Sequence, residues 1–166
     1  MPGRVRRAPP LPRLVVSADF ERVLALRSRA ATAHFAVHHV ATQPSPRRSV
    51  PNRPSALKLS TIESPASPLP VEDFPAEAPA PALSWVGAVV PKRHARRAVT
   101  RSLIKRQIYA AVERHRDRMA PGLWIVRLRS PFDRVEFASA ASPALLRCAR
   151  AELDHLLGAA VALPSP

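Results

Sequence analysis

The sequence predicts an α+β fold in one small domain, on three observations. AHFAVHHV, LSWVGAVV and LWIVRLR have the length and the alternating or apolar character of strands. SADFERVLALR, the residues from about 96 to 118, and PALLRCARAELDHLLGAA have the composition or apolar spacing of helices. The chain has 166 residues, 46% of them hydrophobic, enough for one core of ordinary size.

Residues 1–16, MPGRVRRAPPLPRLVV, are arginine-rich and acid-poor, as transit peptides are. Pro2, Pro9, Pro10 and Pro12 exclude the amphipathic helix such a segment needs, so a flexible basic arm is expected. Ser17 suits the cap of a short first helix, with Asp19 in its first turn and Phe20, Val23, Leu24 and Arg27 at helical spacing. In the strand that follows, Phe35, Val37 and His39 point one way and Ala36, His38 and Val40 the other. Residues 41–82 then hold ten of the twenty prolines among many Ser and Ala, the composition of a disordered insertion. Its charges cancel, so the net +14 belongs to the rest of the chain. LSWVGAVV makes the next strand and ends at Pro91, where a ladder donor is missing.

The long helix predicted from about Arg96 to Arg118 contains no Pro or Gly, and Pro121-Gly122 stops it. In LWIVRLR, Trp124, Val126 and Leu128 alternate with Ile125, Arg127 and Arg129. Ser142 followed by Pro143 opens a closing helix with the stripe Leu145, Leu146, Ala149, Leu153 and Leu156, ending near Gly158. The folded domain is therefore expected over 17–158, interrupted by 41–82, with a disordered tail at 159–166. Trp85 and Trp124 are expected in the core or on the sheet, and Cys148 as a small buried hydrophobe.

KRHARRAVTRSLIKR, Lys92 to Arg106, holds seven Lys and Arg in fifteen residues, and the nearest acids are Glu77 and Glu113. With a net charge of +14 and a pI near 11.7, this points to a polyanion. On a helical wheel Val99, Leu103, Ile104, Gln107, Ala110 and Ala111 share the arc expected to pack on the sheet. Arg101, Ser102, Lys105, Arg106 and Tyr109 fall opposite, as one exposed ridge. Arg grips phosphate bidentately, Lys supplies a point charge and Tyr offers an unstacked base a platform, which fits single-stranded RNA better than duplex DNA. A solvated charged face is the plain alternative, but cations at i, i+4 repel by a few tenths of a kcal/mol per pair when nothing pairs with them. A membrane-surface role is disfavoured because the apolar side is needed for the core.

Other chemistries find little support. The single cysteine makes no internal disulfide and no thiol-based zinc site, as expected of a reducing compartment. No run approaches the length of a membrane-spanning helix. His34, His38 and His39 lack a neighbouring Cys or carboxylate in the sequence, so no metal site is expected, and the four glycines form no nucleophile elbow.

The stretch GAVVPKRHARRAVTRSLIKR resembles the signature of the bacterial ribonuclease P protein subunit, roughly G-x-x-V-x-K-[KR]-x-G-N-A-V-x-R-N-x-x-K-R at a strand-to-helix junction. Gly87, Val90, Lys92, Arg93, Ala98, Val99, Arg101, Lys105 and Arg106 fall in place. ADFERVL resembles the family's first helix, AHFAVHHV its next strand and LWIVRLRSP its last strand. Ser102 stands where Asn is usual, Leu103 where Arg is frequent and Tyr109 where Arg is common. The loop is one residue longer and lacks Gly-Asn, and the proline-rich insertion lengthens a normally short connection.

The resemblance implies a two-layer α/β sandwich with a four-stranded sheet, order αβββαβα, and a left-handed crossover, where periodicity alone would predict a right-handed one. The short strand left over is expected near Ser28 to Ala31. The resemblance also implies that the protein has no catalytic residue. The partner ribonuclease P RNA, with bound Mg²⁺, would cleave precursor tRNA to free its mature 5′ end in the bacterial cytoplasm. Lys92, Arg96, Arg97, Arg101, Ser102, Lys105 and Arg106 would face the catalytic RNA. Phe20, Leu24, Ala36, His38, Arg93 and Tyr109 would line a cleft for the single-stranded 5′ leader. Two alternatives stay open: a structural RNA-binding protein such as a ribosomal or assembly factor, and a basic DNA-binding module.

Overall fold

The computed structural model describes residues 9–46, 83–133, 135, 137, 139 and 142–163. Most of the expected insertion, 47–82, lies outside the described residues, as do 1–8 and 164–166. In chain order the elements are α1 (Ser17–Leu24), β1 (Ala30–Ala31), β2 (Phe35–Val40), β3 (Ser84–Val89), α2 (Ala98–His115), β4 (Gly122–Leu128) and α3 (Pro143–Ala162), with a 3₁₀ turn at Arg116–Arg118. The order is αβββαβα, and β1 falls where the fourth strand was expected.

The sheet runs β1-β2-β4-β3. β2 pairs antiparallel with both β1 and β4, while β3 pairs parallel with β4, so α2 is the connection between two parallel neighbours. Register puts Ala36 opposite Arg127, His38 opposite Ile125 and Val40 opposite Leu123, with Trp85, Gly87 and Val89 alongside. The other face carries Phe35, Val37 and His39 against Leu128, Val126 and Trp124. β2 is buried at all but its last residue and β4 at all but Arg127, because these two central strands are covered on both sides.

Helices α2 and α3 pack on the second face and enclose the main core, with Phe35, Val37, Trp124, Val126 and Leu128 at its base. Helix α1 covers part of the first face, where Val23 closes a smaller core with Leu14, Leu123 and Ile125. Gly87 permits this docking: an ideal Cβ there would lie 2.6 Å from Phe20 Cε1. At the start of β4, Gly122 has φ +130°, and a side chain would meet the Val40 carbonyl oxygen, so the turn after α2 requires glycine.

α3 begins as its sequence predicts. Ser142 Oγ accepts the Leu145 N–H at 3.1 Å, with proline in the first turn. Its buried face is Leu145, Ala149, Leu153, Leu156, Leu157 and Ala160, and Leu146, one residue round from Leu145, is exposed instead. Gly158 does not end it. The helix continues four residues into the expected tail, and Arg29 satisfies its last carbonyls, Nε donating to Ala160 O at 2.7 Å and Nη2 to Leu163 O. Cys148 is half-buried against the main core rather than fully enclosed, and Trp85 is half-buried while Trp124 is fully buried.

The chain departs from expectation most at its N-terminal side. Residues expected in a flexible arm are tied to the sheet: Leu14 N donates to Val86 O and Val86 N to Pro12 O, both at 2.9 Å, an extra segment along the edge of β3. Pro12 is tolerated because only its carbonyl is used. Ser17 is inside α1, whose preceding Val16 makes no side-chain cap, and α1 ends at Leu24 rather than reaching Arg27. Asp19 is fully buried, accepting from Arg22 and from both the N–H and the hydroxyl of Ser45, so the chain just after β2 is fastened to α1.

Candidate nucleic-acid interface

β3 ends at Val89, and a loop carrying Lys92, Arg93, Arg96 and Arg97 turns the chain into α2. All four of these side chains are exposed, as are Ser102, Lys105 and Arg106 on the helix. Among the described residues no ion pair involves Lys92, Arg93, Arg96, Lys105 or Arg106; the pairs that form use Asp19, Glu113, Glu152 and Asp154 elsewhere. The first turn of α2 has no acidic residue and Arg97 provides no side-chain cap, so the positive end of the helix adds to the cationic loop. Positive charge dominates the field here, with Asp133 the acid that lines the neighbouring cavity.

α2 sits rotated from its expected orientation. Leu103, Ile104, Ile108, Ala111 and Val112 are buried, whereas Val99 is 55% exposed and Ala110 is also exposed. The wheel overweighted Val99 and Ala110, small or terminal residues. The bulky Ile108 and Val112 decide which side enters the core, because each removes more apolar surface from water. Arg101 consequently turns half-inward, and its Nη1 donates to Ala95 O at 3.1 Å and Arg96 O at 2.7 Å. Arg101 thus braces the loop that presents the other cations.

A second basic surface lies on the α1 side of the sheet. Ser28, Ala36, His38, Arg127 and Arg129 line a cavity of about 310 Å³, next to the region where Phe20 and Leu24 pack on Ile125. His38 Nδ1 lies 3.0 Å from Leu26 O, and its pKa is lowered, first by burial and to a smaller degree by Arg127, so the ring is held neutral. Arg93 Nε donates to His94 Nε2 at 3.0 Å, and desolvation, then Arg93 and Arg127, lower the His94 pKa. Arg93 is therefore near the end of this surface, and it also lines, with Arg96 and Arg97, a cavity of about 420 Å³ floored by Phe132 and Leu145.

Of the six residues expected in one cleft, Phe20, Leu24, Ala36 and His38 share this side. Tyr109 stands apart: it packs against the main core on the α2 side, beneath the Arg13 guanidinium, 4.3 Å from the ring centroid. Three arginines escaped the sequence reading. Arg127 and Arg129, two residues apart in a strand, were visible as one face of an alternating run, but only pairing with β2 shows that His38 joins them. Arg13 lay in a segment read as unstructured.

The three neighbouring histidines diverge. His34 Nδ1 is 2.8 Å from Glu152 Oε2 and stacks on Phe132; the carboxylate missing from its sequence neighbourhood comes from α3. Burial raises the Glu152 pKa, but hydrogen bonds from Thr32 and from the His34 backbone and ring outweigh it and lower the value. His39 Nε2 lies 3.1 Å from Pro121 O on the opposite face from His38, and burial lowers its pKa. Among the described residues no three His, Cys, Asp or Glu side chains gather as metal ligands.

Two solved structures of the ribonuclease P protein of Staphylococcus aureus are similar to this chain. One is 17% identical with a TM-score of 0.49, covering 88% of this chain and 92% of that one. The other is 18% identical with a TM-score of 0.51, covering 93% and 92%, and supports the fold. No curated protein matches the sequence. The family model described as Ribonuclease P matches residues 9–151, taking in both basic surfaces, and the chain belongs to that family.

Proposed function

We propose that this chain, as a ribonuclease P protein subunit, binds the catalytic RNA through the loop at 91–97 and the exposed side of α2. It binds the single-stranded 5′ leader of precursor tRNA on the α1 side of the sheet. The observation that carries the reading is the exposed surface on which Lys92, Arg93, Arg96, Lys105 and Arg106 make no ion pair among the described residues. RNA phosphates are the counter-charges that would relieve its self-repulsion, releasing condensed cations as they bind. Lys92, Arg93, Arg96, Arg97, Lys105 and Arg106 contact phosphate and Ser102 donates or accepts from its hydroxyl. Arg101 acts mainly by holding the loop.

On the sheet side, Phe20 offers a ring to an unpaired base, Leu24 gives apolar contact, the largely buried Ala36 and neutral His38 wall the pocket, and Arg127 and Arg129 hold the leader's backbone. Mg²⁺ belongs to the RNA, where it supplies the charge stabilisation of phosphodiester cleavage. The protein screens phosphates so that fewer free cations are needed. Its place is the bacterial cytoplasm, with precursor tRNA, and no helix among the described residues is long and apolar enough to cross a membrane.

The test is cleavage of 5′-labelled precursor tRNA by a bacterial ribonuclease P RNA at a few millimolar Mg²⁺, with and without the protein. Restored cleavage at the mature 5′ end is expected. Binding to the RNA with no effect on cleavage would instead favour a structural RNA-binding role.

A further inference from the structure

Arg13 arrives at α2 from a different part of the chain. Residues 11–14 lie along the edge of β3, and the two-residue period of an extended chain sends alternate side chains to opposite layers. Leu14 enters the core beneath α1, where it is 6% exposed. Arg13 goes the other way and lays its guanidinium over the Tyr109 ring. Two further bonds hold the segment in place: Leu11 N donates to Glu113 Oε1 at 2.7 Å, and Arg116 Nη1 to Pro9 O at 2.8 Å.

Glu113, the acid of α2 on this side, is fully engaged, since its second oxygen accepts from Arg116 at 3.2 Å. Among the described residues no carboxylate pairs with Arg13, which is exposed. Tyr109 follows Lys105 by four residues and Arg106 by three, so the stacked pair continues the exposed cationic ridge. A planar guanidinium fixed on a ring leaves its other face to solvent, flanked by two free cations.

We propose that the Arg13–Tyr109 stack is a platform for an unpaired RNA base, with Lys105 and Arg106 on the adjoining phosphates. Guanidinium planes stack on nucleobases, and every base has a π face, so the site tolerates sequence. Its support on Tyr109 and on the strand removes most of the entropy cost of ordering an arginine. It lies across the sheet from Ala36 and His38, so the protein offers single-stranded RNA two separate surfaces. The inference rests on the RNA-binding reading above and adds a site to it.

The probe is a short single-stranded oligoribonucleotide carrying 4-thiouridine, with affinity read by fluorescence anisotropy and the photocrosslinked peptide located by mass spectrometry. Crosslinks are expected in 9–16 or around Tyr109. Arg13→Ala should weaken binding on the order of tenfold, the worth of one stacked base. Arg13→Lys, which keeps the charge but not the plane, should lose most of that affinity while retaining the salt dependence. Tyr109→Phe, which keeps the ring, should bind as the unaltered protein does. Unaltered affinity of Arg13→Lys, or crosslinks confined to other peptides, overturns the platform. Those results alongside intact stimulation of precursor tRNA cleavage sink the platform alone. Oligonucleotide binding through Arg13 without any binding of ribonuclease P RNA sinks the functional reading and leaves the platform standing.

Discussion

Gly87→Ala tests how α1 meets the sheet. The added Cβ would stand 2.6 Å from Phe20 Cε1, 2.9 Å from Cζ and 3.3 Å from Ile125 Cγ1. Carbon atoms in ordinary contact lie about 3.5–4.0 Å apart, so the ring must retreat by roughly 1 Å. Its helix has little freedom to move with it, because Val23 is buried beside it and Asp19 is bonded to Ser45 and Arg22. Overpacking of this kind costs about 1–3 kcal/mol, and alanine recovers about 0.5–1 kcal/mol of the glycine's unfolded-state entropy. The balance is a loss of about 1 kcal/mol, seen as a fall in Tm of roughly 3–4 °C for a folded part of this size.

Thermal unfolding followed by circular dichroism should be compared in four proteins: unaltered, Gly87→Ala, Phe20→Leu and the double variant. With leucine at 20 the methyl group finds room, so the cost of Gly87→Ala should nearly vanish, a coupling of about 1 kcal/mol. An equal loss in both backgrounds, or no loss in the first, would refute the close approach of Phe20 to Gly87. In binding assays Gly87→Ala should weaken precursor tRNA association while leaving that of the catalytic RNA unchanged.

Lys105→Ala with Arg106→Ala should reduce the salt dependence of RNA binding by roughly one to two units of slope without changing Tm, since both side chains are exposed; an unchanged slope places the RNA elsewhere. Arg101→Ala should instead lower Tm as well as affinity, because the loop loses its bonds at Ala95 and Arg96. Replacing 47–82 by a short Gly/Ser linker should leave RNA binding nearly intact, whereas extending the deletion to Ser45 should destabilise the fold by stripping partners from buried Asp19, as urea unfolding would register. Stability should fall with acid. The unfolded chain takes up protons at His38 and His39 as pH drops below about 6.5 while the folded rings resist, and below about 4.5 the lowered Glu152 adds a loss in the same direction. A flat denaturation midpoint between pH 7 and pH 5 would contradict this.

Local pattern made much of the fold readable. The strands at 35–40, 84–89 and 122–128 announced themselves by their apolar or alternating runs, the last two also by Pro91 and by Pro121-Gly122 at their ends. Ser142 and Pro143 marked the start of α3 because both act within one helical turn. The run from Lys92 to Arg106 was legible as a polyanion surface because charge needs no tertiary context to be counted. β1 was nearly invisible, since two alanines carry almost no periodic signal.

What only the tertiary structure decided depends on groups distant in sequence. The rotation of α2 was set by Ile108 and Val112 against the sheet and α3, which moved Val99 out and turned Arg101 toward the loop. Helix α3 outlasts Gly158 because Arg29, more than a hundred residues earlier, supplies donors to its final carbonyls. Strand pairing brought Arg127 and Arg129 to His38, and an edge bond to Val86 turned a proline-rich arm into the segment that carries Arg13 to Tyr109. Residue types and spacings within a turn or a strand are written along the chain. Which faces meet is decided by burial and hydrogen bonding between elements, and those energies exist only once the chain has folded.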